Sequence, residues 1–198
     1  TAMERLAGPG VTIEERTPDF RHAVDAFQVL RAAYFASDHQ VHLRENRDQL
    51  KPEVIWNIEK GLALTAAEIG AAEGQRARLC ASLMSVFEDV DVVVCPTAIV
   101  APFDVDVRYV EEVEGQRFDN YIHWLVLTFA FSLTGCPSMS LPAGFTKAGL
   151  PVGLQLVAPH RQEGALLAAA RHFEHVLGVA GQLPIDPRGA EGESLLQP

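Results

Sequence analysis

Residues 129–159 read FAFSLTGCPSMSLPAGFTKAGLPVGLQLVAP. Turn-forming residues break this stretch at short, nearly regular intervals: Thr134-Gly135, Cys136-Pro137, Leu141-Pro142, Gly144, Gly149 to Pro151, and Gly153. Punctuation that dense leaves no room for a helix and describes strands. Two strands are predicted, 139–145 and 151–157, joined by the turn Thr146-Lys147-Ala148-Gly149. Both are apolar or small at most positions, with little in-out alternation. That is the pattern of strands covered on both faces, and it predicts a place in the middle of a sheet.

On the C-terminal side, residues 163–177 predict an amphipathic helix with Leu166, Ala170, Phe173 and Leu177 inward and Gly178 as its stop. Residues 179–198 are rich in Gly, Pro and Glu and read as a peripheral tail. On the N-terminal side, residues 121–131 are apolar without strict alternation, which predicts a buried helix capped by Asp119 or Asn120. Residues 104–119 carry six acids and two arginines. They predict an exposed loop or hairpin, a solvated acidic face and not a ligand site. Residues 90–95 form an apolar run around Asp91, as a buried strand does. Pro96-Thr97 ends it, and a small-residue loop containing Pro102 follows.

Nearer the start, residues 2–7 read as a helix end stopped by Gly8-Pro9-Gly10, and 11–15 alternate enough to predict a strand. Thr17 with Pro18 predicts a helix start. Phe20, Ala23, Val24, Phe27, Leu30 and Tyr34 then recur at helical spacing along one buried face. Residues 38–49 are polar. Pro52 opens a short helix through Ile55, Trp56 and Ile58 to Gly61, and Thr65-Ala66-Ala67-Glu68 has the form of a capping box. A long helix follows, with Ile69, Ala72, Arg76, Leu79, Leu83 and Phe87 on one face.

The 198 residues are 48% hydrophobic, enough for one sizeable core. Their net charge of -10 argues against a nucleic-acid partner, which needs a basic stripe. No apolar run reaches the roughly 20 residues that span a bilayer, so no membrane partner is expected. The odd, widely spaced cysteines Cys80, Cys95 and Cys136 suggest neither a disulfide framework nor a zinc motif, and a reducing cytoplasm suits them. Two histidine pairs, His39 with His42 and His172 with His175, have helical spacing but no evident third ligand, so no metal site is predicted. Cys95 and Cys136 adjoin prolines at strand ends and read as buried thiols, not nucleophiles. There is no Gly-x-Ser-x-Gly elbow and no Ser-x-x-Lys. The three lysines, Lys51, Lys60 and Lys147, lie in polar or turn context.

The octet Gly149-Leu150-Pro151-Val152-Gly153-Leu154-Gln155-Leu156, preceded by Thr134-Gly135-Cys136-Pro137, resembles the C-terminal signature of the amidase signature family. In that family a Thr-Gly-x-Pro turn leads into a strand and the same octet follows. Pro96-Thr97 after Asp91-Val92-Val93-Val94 is a second match. Ser132 departs from the pattern, which usually has Asn before the turn.

The resemblance implies an α/β fold, a mixed β-sheet flanked by helices, with residues 1–198 forming the C-terminal portion of a single amidase domain. Thr1 opens on a helix end, which fits a chain that starts partway through a longer protein. Family members resemble hydrolases of carboxylic amides that use a nucleophilic Ser, a second Ser in a cis peptide and a neutral Lys. Those groups come from a Lys segment and a Gly-Gly-Ser-Ser-Gly-Gly motif, and neither occurs here. The resemblance therefore implies a chain with no catalytic residue and no cofactor, whose partners are a small-molecule amide and an N-terminal half. Alternatives are a non-catalytic binding or interaction module and an amidotransferase A subunit. Ligands of open α/β sheets bind where loops leave the carboxyl ends of strands. Thr97, Ile99 and Phe131 are the candidate substrate contacts, set against a reading of each as a turn or core residue. Taken alone, such a half is expected to expose an apolar face or strand edge and to form a homodimer or aggregate.

Overall fold

A computed structural model describes residues 2–8 and 10–179; residues 180–198, nearly all of the predicted tail, lie outside the described residues. Val179, the first tail residue, is 4% exposed and packs into the core.

Residues 138–157 form a hairpin. β4 (Ser138–Phe145) and β5 (Pro151–Val157) pair antiparallel, with Leu141 opposite Leu154 and Ser140 opposite Gln155. β1 (Val93–Pro96) pairs antiparallel with the other edge of β5, Cys95 opposite Gln155, so the sheet order is β1-β5-β4. Among the described residues β5 is the central strand of this sheet, and its last four residues, Leu154 to Val157, are fully buried. The expectation of two doubly covered strands is corrected for β4, which lies at the sheet edge with Ser138, Ser140 and Phe145 exposed. The physical reason is its every-second-residue serine pattern, which leaves one face of the strand polar. Pro142 and a register shift between Pro142 and Gly144 also suit an edge, where a missing N–H costs no ladder bond. β1 starts at Val93, later than the predicted 90, and is only half-buried because it too is an edge.

Alternation along β5 builds two layers. Leu154 and Leu156 point to one face, where Leu141, Leu166, Ala170 and Leu177 complete a cluster. The helix α6 (Glu163–Leu177) covers that face, stopped by Gly178 in the left-handed region at φ 65 as predicted. The short helix α1 (Ala2–Leu6) adds Leu6, and Arg5 donates to the free carbonyls of Val176 and Leu177 at the end of α6. Val157 points to the opposite face and joins Leu83, Phe131 and Cys136.

That second face is covered by helices. α2 (Ala23–Glu45), α3 (Pro52–Leu62), α4 (Ala66–Val86) and α5 (Val126–Thr134) form the layer. α4 begins at the predicted box: the Glu68 N–H donates to Thr65 Oγ1 at 3.2 Å and the Thr65 N–H to Glu68 Oε2 at 2.8 Å. Phe129 of α5 stacks on Phe27 of α2 with centroids 4.2 Å apart, and Ala130 and Leu133 pack with Ala26 and Leu79. α3 folds back against α2 so closely that a Cβ on Gly61 would lie 1.9 Å from the Ala32 carbonyl oxygen. Asn57, 1% exposed, is satisfied by Arg31, whose Nη1 donates to Asn57 Oδ1 at 3.1 Å, and by its own donation to the Glu53 carbonyl at 2.7 Å. The Arg31 guanidinium lies 4.9 Å from the centroid of Phe35 and also donates to the Tyr121 hydroxyl.

Three expectations near the start fail. Residues 11–15 form no strand; Val11 makes one isolated bridge to Gly8, and no neighbouring strand among the described residues offers a ladder. The helix predicted to start at Thr17-Pro18 starts at Ala23, because Phe20 instead packs edge-on against Phe131, 5.1 Å between centroids, and holds the chain off the helix axis. The same helix runs through the polar residues 38–45, carried by the packing of α3 along it. Its predicted face is met at Ala23, Val24, Phe27 and Leu30, which pack with Leu79 and Phe129, and departs from expectation at Tyr34, which is 59% exposed. The predicted helix over 121–131 is a 3₁₀ turn at His123–Leu125 followed by α5, with no side-chain cap on α5. Asn120 Oδ1 instead accepts from the N–H of Ile122. The acidic stretch holds a small hairpin, β2 (Glu112–Val113) with β3 (Gln116–Arg117), and the Arg108–Glu53 ion pair ties its approach to α3.

Candidate functional site

Three strands and one helix converge on Thr97, the residue that leaves β1. Its N–H donates to the Gly153 carbonyl of β5 at 3.1 Å, which extends the β1-β5 ladder by one step. Its carbonyl accepts from Thr128 Oγ1 of α5 at 3.3 Å. Its own hydroxyl lies 2.6 Å from Ser140 Oγ of β4, on the far side of β5. The two hydroxyls meet across β5 because Gly153 stands between them: a Cβ there would lie 2.7 Å from Thr97 Oγ1 and 2.9 Å from Ser140 Oγ. Glycine within a strand marks such close approaches.

One step along the same face, Cys95, Gln155 and Ser140 stand in register. Gln155 is buried, and its Nε2 donates to the Leu127 carbonyl at 3.1 Å and to Cys95 Sγ at 3.4 Å. This side chain pins the first turn of α5 to the sheet, so Thr128 is set at the height of Thr97. The face therefore grades from apolar at Val157 to hydroxyl-lined at Thr97 and Ser140.

The turn after α5 is built from its own residues. Thr134 Oγ1 donates to the Phe131 carbonyl at 2.6 Å and accepts from the Cys136 N–H at 3.2 Å, while Gly135 takes φ 70 to end the helix. His160 Nε2 donates to the Thr134 carbonyl at 2.7 Å, meeting a carbonyl that the helix end leaves free. Ser132, where the resembled pattern has Asn, turns its hydroxyl back onto the Thr128 carbonyl at 3.1 Å.

Of the three predicted contacts, Thr97 sits at this polar junction. Ile99 lies half-buried in the bend that follows, and Phe131 is 4% exposed, packed with Phe20, Leu83 and Val157 in the core. Ile99 and Phe131 are not brought to the hydroxyl pair by any hydrogen-bonding or ring contact. Sequence reasoning did not single out Ser140, Gly153, Thr128 or Gln155 as site residues. Their signal was present in part, as a glycine inside an apolar strand and serines at every second residue of its neighbour. Beyond the bend, Phe103, Val107, Tyr109 and the charged Arg108, Glu111 and Glu112 line a shallow groove of about 450 Å³, and Phe103 meets Trp124 edge-on at 5.7 Å.

Two thiols and one lysine among the described residues depart from their ordinary titration. Burial pushes the Cys95 thiol up, partly opposed by the Gln155 donor, and burial likewise raises Cys136. A raised thiol holds less thiolate at neutral pH. Burial and the Arg31 charge depress Lys60, a shift in the direction of a base, but its ammonium lies over the Trp56 ring, 5.0 Å from the centroid, with no serine bonded to it. Lys60 therefore has more apolar cover than its sequence context suggested. Among the described residues no group of three or more His, Cys, Asp or Glu is placed to hold a metal, and no helix is long and apolar enough to cross a membrane.

The sequence model of the amidase family matches residues 1–167. The chain is 30% identical over 188 residues to an acylamidase of Rhodococcus erythropolis, covering 93% of this chain and 39% of that protein. It is 37% identical over 98 residues to the glutamyl-tRNA(Gln) amidotransferase A subunit of Alkaliphilus metalliredigens, covering 50% of this chain and 19% of the other. Among solved structures, a bacterial aryl acylamidase of the amidase signature enzymes superposes with TM-score 0.78 at 20% identity, over 93% of this chain and 41% of that one. A second amidase structure gives TM-score 0.78 at 27% identity, over 87% and 39%. The chain thus spans about two fifths of the length of the acylamidase and of both solved structures.

Proposed function

The chain belongs to the amidase family, and on that premise we propose that it is the C-terminal portion of an enzyme that hydrolyses a carboxylic amide to an acid and ammonia or an amine. The reacting groups, a nucleophilic Ser, a bridging Ser and a neutral Lys, lie on an N-terminal half. This chain contributes a wall of the substrate site, with Thr97 as the polar contact and Ile99 as the apolar one. Phe131 acts from behind, as the core residue on which α5 rests. The observation that carries this reading is the hydroxyl pair just past β1, which offers a bound amide both a donor and an acceptor.

The test is hydrolysis by the full polypeptide that carries this chain. Ammonia or amine release from a panel of acetamide, benzamide and acetanilide is expected, and no release from any of them counts against the enzyme. A second reading, the amidotransferase A subunit, is favoured by the 37% identity over 98 residues. It predicts glutamine-dependent ammonia release that rises when a transfer-RNA-binding partner is added. A non-catalytic module predicts neither. Isolated, the chain exposes β1 and β4 as free sheet edges, and light scattering of the isolated chain is expected to show dimers or larger species in a cytoplasm-like reducing buffer.

A further inference from the structure

We propose that Ser140 and Gly153 are positioning residues for substrate binding: together they fix the orientation of the Thr97 hydroxyl. The inference rests on the reading of Thr97 as a substrate contact and adds to it the device that aims that contact.

Thr97 has its backbone held at both ends, by the Gly153 carbonyl on one side and Thr128 Oγ1 on the other. Its side chain remains free to choose among staggered rotamers until something selects one. Ser140 Oγ at 2.6 Å does so. The two hydroxyls hold two protons between them, and one is used within the pair. One O–H donor and the remaining lone pairs are left for a ligand, on oxygens whose positions the pair fixes. Such a pair adds little to folding, because water replaces either partner at an exposed site. A benefit to ligand geometry is the better account of it.

Gly153 makes the pair available. A Cβ at that position would meet Thr97 Oγ1 at 2.7 Å, Ser140 Oγ at 2.9 Å and Thr97 Cβ at 3.1 Å, so any side chain there drives the hydroxyls apart. Ser140 and Gly153 lie on adjacent strands, Thr97 directly follows β1 with its N–H still bonded to β5, and Gln155 one step away holds α5 and hence Thr128 in place. Contacts built on such elements are held more tightly than contacts built on loops alone.

The experiment uses the full polypeptide and whichever of acetamide, benzamide and acetanilide it turns over best, with KM, kcat and melting temperature measured for each variant. Thr97→Val removes the hydroxyl with little change of shape and tests the underlying reading. Ser140→Ala and Gly153→Ala test the positioning. Each is expected to raise KM about three- to tenfold, as for one lost hydrogen bond to substrate, with kcat changed less than about twofold. Ser140→Thr, which restores a hydroxyl at an exposed strand position, is expected to return KM to the wild-type value. The double variant Ser140→Ala with Gly153→Ala is expected to be no worse than Gly153→Ala alone, since both break the same bond. If Thr97→Val raises KM while Ser140→Ala and Gly153→Ala match wild type, the positioning is overturned and the substrate contact stands. If Thr97→Val is silent, or the wild type turns over no amide, both fall. A fall in kcat and melting temperature at unchanged KM would make the pair a structural tie and overturn the inference.

Discussion

Replacing Gly61 by alanine adds one methyl group to the last turn of α3, and within a helix such a change ordinarily stabilises by up to about 1 kcal/mol. Here it should do the opposite. The new Cβ would lie 1.9 Å from the Ala32 carbonyl oxygen, 2.6 Å from its carbon and 2.7 Å from Ala36 Cβ. Two of these are backbone atoms of α2, which no rotamer change can clear, so α3 must shift away from the Ala32–Ala36 line as a body. Overpacking of that kind costs roughly 3 kcal/mol at the upper end of its usual range. Setting the propensity gain of about 1 against it leaves a net loss of about 2 kcal/mol. For a domain of this size that is a fall in melting temperature of about 4–8 °C. Gly70→Ala is the internal control, because α4 leaves open space around that position. The same chemical change there should raise stability by about 0.5–1 kcal/mol. Urea unfolding of both variants, compared by midpoint at constant slope, gives the two signs side by side. If Gly61→Ala were as stable as the parent, or moved in the same direction as Gly70→Ala, the close crossing of α2 and α3 would be wrong.

Further outcomes follow from particular residues. Leu156→Ala, at a fully buried position on β5, should lower stability by about 2–5 kcal/mol, read as the shift in urea midpoint. Thr65→Ala removes the cap of α4, a loss of about 1 kcal/mol at neutral pH. Its pH dependence follows from Glu68, whose carboxyl is depressed mainly by the Thr65 backbone N–H and then by its hydroxyl. A depressed carboxyl contributes stability above its unfolded value and loses it as pH falls through the folded one. Thr65→Ala keeps the backbone N–H and loses only the hydroxyl, so only the smaller share of that stability separates the two proteins. The gap between them should narrow slightly in melting scans taken at progressively more acid pH. Cys95 and Cys136, both raised by burial, should react slowly with iodoacetamide at pH 7 in the folded protein and quickly in denaturant, as followed by intact mass. Rapid labelling of either in the native state would show that its thiol is not held as described.

The parts of the fold that were legible are those whose boundaries are written in local chemistry. The strands ending at Phe145 and Val157 and the helix Glu163–Leu177 are found where prolines and glycines bracket them, and Thr65 with Glu68 announces the start of α4. Elements whose limits depend on a distant neighbour were not legible. Thr17 and Pro18 make a plausible helix start, yet Phe20 is claimed by Phe131, more than a hundred residues on. Likewise, the run of apolar residues in β4 reads as buried until the sheet order makes it an edge. The same division holds at the site. Thr97 could be singled out because Pro96 and Thr97 end a strand in one short run. Ser140 and Gly153 gain their meaning only from the registers of β5 with β4 and with β1, which bring hydroxyls 43 residues apart to within 2.6 Å.

The order β1-β5-β4 also sets a timetable. The strand that the other two lean on is the last of the three to be synthesised, so β1 stays without its partner until the chain has grown some sixty residues further. β4 waits only for one short turn. Assembly of the sheet is thus expected to begin with the 138–157 hairpin and to recruit residues 93–96 afterwards, at the cost of closing a long loop. Until then the valines of β1 are an unmatched ribbon, and the nascent protein is most exposed to mispairing in that interval.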